Sequence, residues 1–266
     1  MITLGLNVYF HKQKGVTMQG EYITDDAWRK MLKFFEAHPR IYRCSEYKLK
    51  KFIKGVYWIT RTGAQWRALP KEFGNWNSVF RRFKRWVKMG IWKDLMIFCI
   101  ENPDLEYIMI DSTIVRAHAC AAGKGNQETQ GLGRSSGGFT SKIHAKVDAL
   151  GNPLKFVVTA GQESDHCQAE NLLGKTSGAY VLCDKGYDSD EFRNKIKNLK
   201  NIPVIPGKRS RIVPIDYDKH IYKERNLVEC FFAKIKHFRR VFSRYDKDIL
   251  SFTAFLYFVG AIIWLR

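Results

Sequence analysis

The sequence predicts an α/β chain: a mixed sheet with flanking helices over residues 105–266, preceded by an all-α, helix-turn-helix-like domain over residues 22–104 and an N-terminal extension over residues 1–21. Three observations predict it. Through the first hundred residues the apolar positions recur at helical spacing. Beyond Asp104 they gather into short runs and alternating stretches, the pattern of strands. Those runs then alternate with helical segments, the order from which layered α/β folds are built.

Thr24 and Asp25 cap a first helix that runs to about His38, with Trp28, Met31, Leu32 and Phe35 at i, i+3, i+4, i+7 and Pro39 as its stop. A second helix spans about Glu46 to Thr60 and breaks at Gly63, after which the irregular Trp66-Arg67-Ala68-Leu69-Pro70 leads to Gly74. The third, about Trp76 to Met89, has two faces. At about 100° per residue, Val79, Phe80, Phe83, Trp86 and Val87 fall on the side of Trp76, while Arg81, Arg82, Lys84, Arg85 and Lys88 fill the opposite arc. A charged arc is commonly no more than a solvated face. This one has five cations and no acid among them, which favours phosphate contact. Two helices joined through glycine ahead of a basic helix give the helix-turn-helix-like reading.

In the second part, Tyr107 to Ile110 is a short apolar run ending at Asp111, read as a buried strand with a carboxylate at its end. Ala121 to Gly138 carries six glycines and reads as a loop. Ile143, Ala145 and Val147 alternate with Lys142, His144, Lys146 and Asp148, and Gly151-Asn152-Pro153 turns the chain into Phe156 to Val158, a hairpin. There follow a helix near His166 to Leu173, an apolar run from Ala179 to Cys183 ending at Asp184, a helix from about Ser189 to Leu199 and a strand from Ile202 to Ile205. Strand, hairpin, helix, strand, helix, strand, helix is the order of a ribonuclease-H-like sheet.

Lys plus Arg number 45 against 26 Asp plus Glu, a formal charge of +19, so a polyanion is the expected partner, nucleic acid ahead of an anionic membrane surface. Both parts of the chain share the excess. Cys44, Cys99, Cys120, Cys167, Cys183 and Cys230 are scattered with no C-x-x-C pair, as reduced thiols are. His118, Cys120, His166 and Cys167 lack the paired spacing of a zinc site, and no zinc is expected. The first residues place an apolar stretch before His11 and Lys12, the reverse of a signal peptide, and Met18 offers a second start. Ile249 to Leu265 is almost wholly apolar but falls just short of the roughly 20 residues that span a bilayer, and it contains Ser251, Thr253, Tyr257 and Gly260. It is read as a helix buried in the core, with no membrane partner.

The chemistry gathers on the segment from Tyr222 to Val241, read as one amphipathic helix. Tyr222, Arg225, Glu229 and Lys236 share one stripe, and Leu227, Val228, Phe231, Ile235 and Phe238 lie opposite. An exposed face with an Arg225–Glu229 ion pair would give the same pattern. The two strand-end aspartates add the distinguishing feature. Were their strands neighbours, Asp111 and Asp184 would lie side by side, and a helix packed on that sheet would add Glu229. Three close carboxylates repel unless a divalent cation pair compensates them, and hard oxygen ligands suit Mg²⁺ or Mn²⁺. Two such ions serve in-line phosphoryl displacement.

These residues resemble the bacterial DDE transposases of the insertion-sequence five group, over almost everything from about Tyr22 to Arg266. The most specific match is Tyr222, Arg225, Glu229 and Lys236, the group's Tyr-Arg-Glu-Lys signature without a gap. Asp111-Ser112-Thr113 resembles its first aspartate motif and Asp184-Lys185-Gly186-Tyr187-Asp188 its second. Gly137-Gly138-Phe139-Thr140-Ser141-Lys142-Ile143-His144, Asp148-Ala149-Leu150-Gly151-Asn152-Pro153, Arg61-Thr62-Gly63, Trp66-Arg67-Ala68-Leu69-Pro70 and Arg81-Arg82-Phe83 match in order. The resemblance implies that Asp111, Asp184 and Glu229 are the catalytic, metal-binding triad. It makes Tyr222, Arg225 and Lys236 candidates for positioning DNA phosphates, and the N-terminal helices the readers of the element's terminal inverted repeats. The implied reaction is hydrolytic cleavage at the element ends, then attack of the 3′ hydroxyls on target DNA, by a cytoplasmic, nucleoid-associated homodimer. Two departures stand out: Ser136 replaces a common Arg, and Cys183 before the second aspartate replaces a common Ala and would make the site thiol-sensitive. His118 and His144 are given no catalytic role.

Overall fold

The computed structural model describes residues 23–122, 130–135 and 138–266. The expected extension 1–21, the second start at Met18, and residues 123–129, Ser136 and Gly137 of the glycine-rich loop lie outside the described residues.

Four helices come first. Helix α1 (Asp25–Ala37) begins where Thr24 Oγ1 accepts the Ala27 N–H, and α2 (Glu46–Thr62) ends at Gly63 with φ +68°. That glycine is required twice over. Positive φ strains an L side chain, and a Cβ there would lie 3.0 Å from Arg239 Cβ. Helix α3 (Trp76–Lys88) is capped by Asn75, whose side chain accepts from the N–H groups of Asn77 and Ser78. Helix α4 (Ile91–Cys99) has no counterpart in the sequence reading, because its nearly continuous apolar residues show no helical period.

The sheet is built from β1 (Tyr107–Ala117), β2 (Gly133–Ser135), β3 (Gly138–Val147), β4 (Pro153–Ala160), β5 (Tyr180–Cys183), β6 (Ile202–Val204) and the two-residue β7 (Ser243–Arg244). Helix α5 (Ala169–Leu173) precedes β5, and α6 (Asp190–Asn198), capped by Ser189, joins β5 to β6. Its backbone is β4-β3-β1-β5-β6, antiparallel from β4 to β1 and parallel from β1 to β6, with β2 extending one edge and β7 pairing the end of β1. This is the expected ribonuclease-H-like arrangement, a mixed sheet with helices on both faces.

The last helices are α7 (Asn226–Lys236), α8 (Arg239–Phe242) and α9 (Ile249–Trp264). Helix α9 is buried over most of its surface, as its near-uniform apolarity demands, between the N-terminal helices and the sheet, with Leu250 exposed at its start and Thr253, Tyr257 and Trp264 partly exposed along one side. Phe255 stacks on Phe83 with ring centroids 4.5 Å apart, and Phe258 meets Trp92 at 5.2 Å. At Gly260 a Cβ would stand 2.8 Å from Met96 Sδ and 3.1 Å from the Phe156 ring, so only glycine lets α9 approach α4 and β4 this closely. One apolar cluster therefore runs from Ile23 to Ile263. Among the described residues, no helix is long and apolar enough to cross a membrane.

Four expectations are corrected. Strand β1 does not end at Asp111. It continues to Ala117, because β3 pairs with it from Met109 to Arg116 and supplies the hydrogen bonds that its polar residues need. The segment 222–241 is not one helix: a 3₁₀ turn, Ile221–Arg225, leads into α7, and the chain turns extended at Phe238 (φ −93°, ψ 99°). That break buries Phe238 and lets Arg240 reach Asp246 at 2.9 Å and the Ala64 carbonyl at 3.1 Å. The segment from Ala121 to Gly138 is not all loop: Gly133–Ser135 forms β2, held by pairing with β3. Cys183 is fully buried on the sheet face opposite that of Asp184, and burial pushes its thiol pKa up, so thiol reagents are not expected to act there. Cys230, beside Glu229, is exposed instead.

Candidate active site

Strand register places the first two carboxylates. Strands β1 and β5 run parallel with Ile110 opposite Cys183, so Asp111 and Asp184 are the next residues along neighbouring strands. Ile110 and Cys183 point into the cluster beneath α5 and α6; alternation sends Asp111 and Asp184 to the other face, which α7 covers. Helix α7 is seated there by Val228, Phe231 and Ile235, with Phe231 stacked on Phe156 of β4 at 5.9 Å. That packing leaves Glu229 exposed above the strand pair.

Arg225 ties the group together. Its Nη1 donates to Asp111 Oδ2 at 2.8 Å, its Nη2 pairs with Glu229 Oε1 one turn along α7, and its guanidinium lies 5.8 Å from the Tyr222 ring centre. Asp111 has one further donor, the Ser112 backbone N–H on Oδ1 at 2.8 Å. Burial pushes the Asp111 pKa up to about 6; the Ser112 N–H and Arg225 work against burial, and the charges of Asp184 and Asp165 add to it. Asp184 turns its Oδ1 to the Lys185 N–H at 2.6 Å at the start of a 3₁₀ turn. Lys236 is exposed two turns beyond Glu229 on the same face of α7. The stripe's four expected members thus follow one another from the 3₁₀ turn into α7.

Among the described residues, no three acidic, histidine or cysteine side chains are gathered closely enough to hold an ion. Arg225 stands where a cation between Asp111 and Glu229 would compensate both carboxylates. The donor set still fits a divalent metal: hard carboxylate oxygens from three elements, of which that of Asp111 is half-buried and accepts only two hydrogen bonds.

The basic face of α3 lies elsewhere and divides in two. Arg81, Arg85 and Lys88, at the centre of the arc, are exposed. Lys84, at one margin, donates to Asp248 Oδ2 at 2.5 Å and Ser251 Oγ at 2.7 Å, tying α3 to the start of α9. Arg82, at the other, lies over the rings of Phe52 (4.5 Å) and Trp86 (5.1 Å). Neither histidine near the motifs touches the carboxylates: His118 pairs with Cys120 Sγ at 3.1 Å, and His144 is buried on the reverse face.

Two further acids have partners that the sequence does not reveal. Asp188 ends the second aspartate motif and is saturated: Arg193 Nε (2.8 Å), Arg211 Nε and Nη2 (2.6 and 2.9 Å) and the Lys208 N–H (2.8 Å) all donate to it. Asp165 accepts the Ser112 hydroxyl at 2.6 Å. Their partners lie 20 or more residues away, apart from Arg193, so spacing alone could not reveal them.

Residues 102–264 match the family described as the transposase DDE domain. The chain belongs to the DDE transposases. In this transposase, residues 23–96 also match the family described as a putative transposase of the IS4/5 family, so both parts carry the same assignment. A putative transposase for insertion sequence element IS6501 from Brucella ovis is 40% identical over 133 residues, 48% of this chain and 100% of that protein. Another, for IS402 from Burkholderia cepacia, is 28% identical over 128 residues, 44% of this chain and 58% of that one. Among solved structures, the piggyBac transposase synaptic complex with hairpin DNA aligns over 73% of this chain and 51% of its own, at 12% identity and a TM-score of 0.40.

Proposed function

We propose that this transposase acts at the ends of its own mobile element through Asp111, Asp184 and Glu229, which hold Mg²⁺ or Mn²⁺, two ions in all. The observation that carries the reading is the parallel register of β1 and β5 beneath α7, which gives three carboxylates from three elements one shared face. When bound there, such ions would supply the positive charge that activates water or a 3′ hydroxyl and offsets charge on the leaving oxygen. The chain's own groups do the rest. Asp111, short of donors, is held ready for a cation. Arg225 keeps the Asp111 and Glu229 carboxylates from repelling one another, and with Tyr222 and Lys236 it offers donors to a phosphate beside the triad.

The N-terminal helices bind the terminal inverted repeats, with Arg81, Arg85 and Lys88 on phosphates, and Arg82 and Lys84 supporting the helix from its margins. Two ends must meet for joining, so the working form is a homodimer on DNA, in the cytoplasm and on the nucleoid. The test is cleavage of labelled duplex taken from the DNA flanking the gene, with Mg²⁺ or Mn²⁺, beside Asp184→Ala. Metal-dependent cuts at the repeat ends, lost in the variant, are expected, and joined products would add strand transfer. Specific binding without cuts from either protein would overturn the catalytic reading and leave a repressor that occupies element ends.

A further inference from the structure

Asp111 has a handle on the far side of the sheet. Ser112, the next residue in β1, points to the opposite face. Its backbone N–H donates to Asp111 Oδ1 at 2.8 Å, and its hydroxyl donates to Asp165 Oδ1 at 2.6 Å. Asp165 opens the 3₁₀ turn Asp165–Gln168 and faces the Lys142 ammonium at 3.1 Å, which in turn donates to the Glu163 carbonyl at 2.6 Å. His144 lies 3.9 Å from the same oxygen but bonds Thr159 Oγ1 at 2.8 Å. Burial pushes the His144 pKa down to about 4, so Lys142 is the cation that balances Asp165.

Packing alone gives no reason for this arrangement. With Asp165 34% exposed, this half-buried ion pair returns little beyond its own desolvation cost, and an apolar pair would fill the same face at no cost in charge. Lys142 and His144 also come from the matched segment 137–144, which the triad does not explain. Of the two donors on Asp111, moreover, Arg225 sits on a long side chain that a bound cation would compete with. The Ser112 N–H is the one that stays.

We propose that Asp165 is a positioning residue for Asp111: through the Ser112 hydroxyl it fixes the backbone of β1 where the Asp111 carboxylate leaves the strand, and so sets how that carboxylate meets a divalent cation. The proposal rests on the reading of Asp111 as a metal-holding residue. Lys142 and Glu163 fix Asp165 in turn.

The experiment titrates Mn²⁺ alone into the full-length chain, reading unbound Mn²⁺ by electron paramagnetic resonance, with a thermal melt of each sample. Ser112→Ala and Asp165→Ala are expected to weaken Mn²⁺ binding about 10-fold, the usual effect of losing an outer partner of a metal ligand, with melting temperatures close to that of the unsubstituted chain. Asp165→Asn keeps an acceptor for Ser112 and should restore most of the affinity; equal loss in Asp165→Asn would overturn the route through the hydroxyl. Should Asp165→Ala fail to fold, Ser112→Ala, which removes one oxygen, decides alone. Wild-type affinity in both alanine variants, with Asp111→Ala defective, overturns the proposal and leaves the metal reading standing. Wild-type affinity in Asp111→Ala overturns both.

Discussion

Asp188 and Asp111 are both carboxylates held by arginine, and their surroundings differ in every other respect. Asp188 is wholly enclosed and takes four hydrogen bonds, from Arg193, from Arg211 twice and from the Lys208 N–H. Burial alone would lift its pKa, but Arg211, the Lys208 N–H and Arg193 together hold it well below the usual carboxylate range. Asp111 takes two hydrogen bonds, and burial wins, so its pKa rises to about 6. A carboxylate that serves the fold is saturated by the fold. One left short of donors where water is scarce carries an unmet demand for positive charge, as a metal-holding position requires.

The comparison can be broken by exchanging the roles. Asp111→Ala should lower cleavage at least about 10³-fold while leaving the melting temperature unchanged or higher, because it removes a poorly solvated charge. Asp188→Ala strands Arg193, whose side chain is 7% exposed, and should cost about 3–5 kcal/mol in urea denaturation. Loss of stability in the first variant, or none in the second, would reverse the assignment.

Acidity sharpens it. Asp188, held low, contributes stability that is present above about pH 4 and lost as the pH falls below that. Asp111, held high, works the other way: between about pH 6 and pH 4 the native state takes up a proton that the unfolded chain does not, so stability rises as pH falls. Relative to wild type, Asp111→Asn should therefore lose about 1–3 kcal/mol of its advantage between pH 7 and pH 4.5. Asp188→Asn should instead converge on wild type only below pH 4. Denaturation midpoints across that range measure both.

The smallest effects belong to α3, where the same division between paired and open charge recurs. Arg81→Ala, Arg85→Ala and Lys88→Ala should each weaken duplex binding and reduce the slope of log affinity against log salt by about 1, with melting unchanged. Lys84→Met should leave that slope alone and cost about 1 kcal/mol of stability through the start of α9. Fluorescence anisotropy at several salt concentrations distinguishes them.

Much of this was legible in the residues themselves. The cap at Thr24, the stop at Gly63, the hairpin at Gly151-Asn152-Pro153 and the burial of α9 follow from local pattern, and the succession of strands and helices along the chain follows from the switch in apolar period; which strands lie side by side does not. The Arg225–Glu229 pair and the place of Lys236 needed only helical geometry, while the 3₁₀ turn that carries Tyr222 did not show in it. What escaped depends on distant partners. Strand β1 outlasts its apolar run because β3 lies beside it, and the helix after Lys236 breaks because Phe238 and Arg240 are claimed by residues from elsewhere in the chain. The margins of the α3 arc look equally cationic in sequence. Only the aromatic rings on one side and Asp248 on the other separate Arg82 and Lys84 from the three exposed charges.

The placement of α9 has a consequence for how the chain reaches this structure during synthesis. It is the last of the described elements to leave the ribosome, yet it lies between the helices made first and the sheet made next. Until it arrives, the aromatic surface of α3 and α4 and the apolar face of β4 have nothing to close on, and a nascent chain stalled before residue 249 keeps both open to solvent. The active enzyme can therefore assemble only after translation has passed α9, so an unfinished chain would present sticky surfaces rather than a working cutter of DNA.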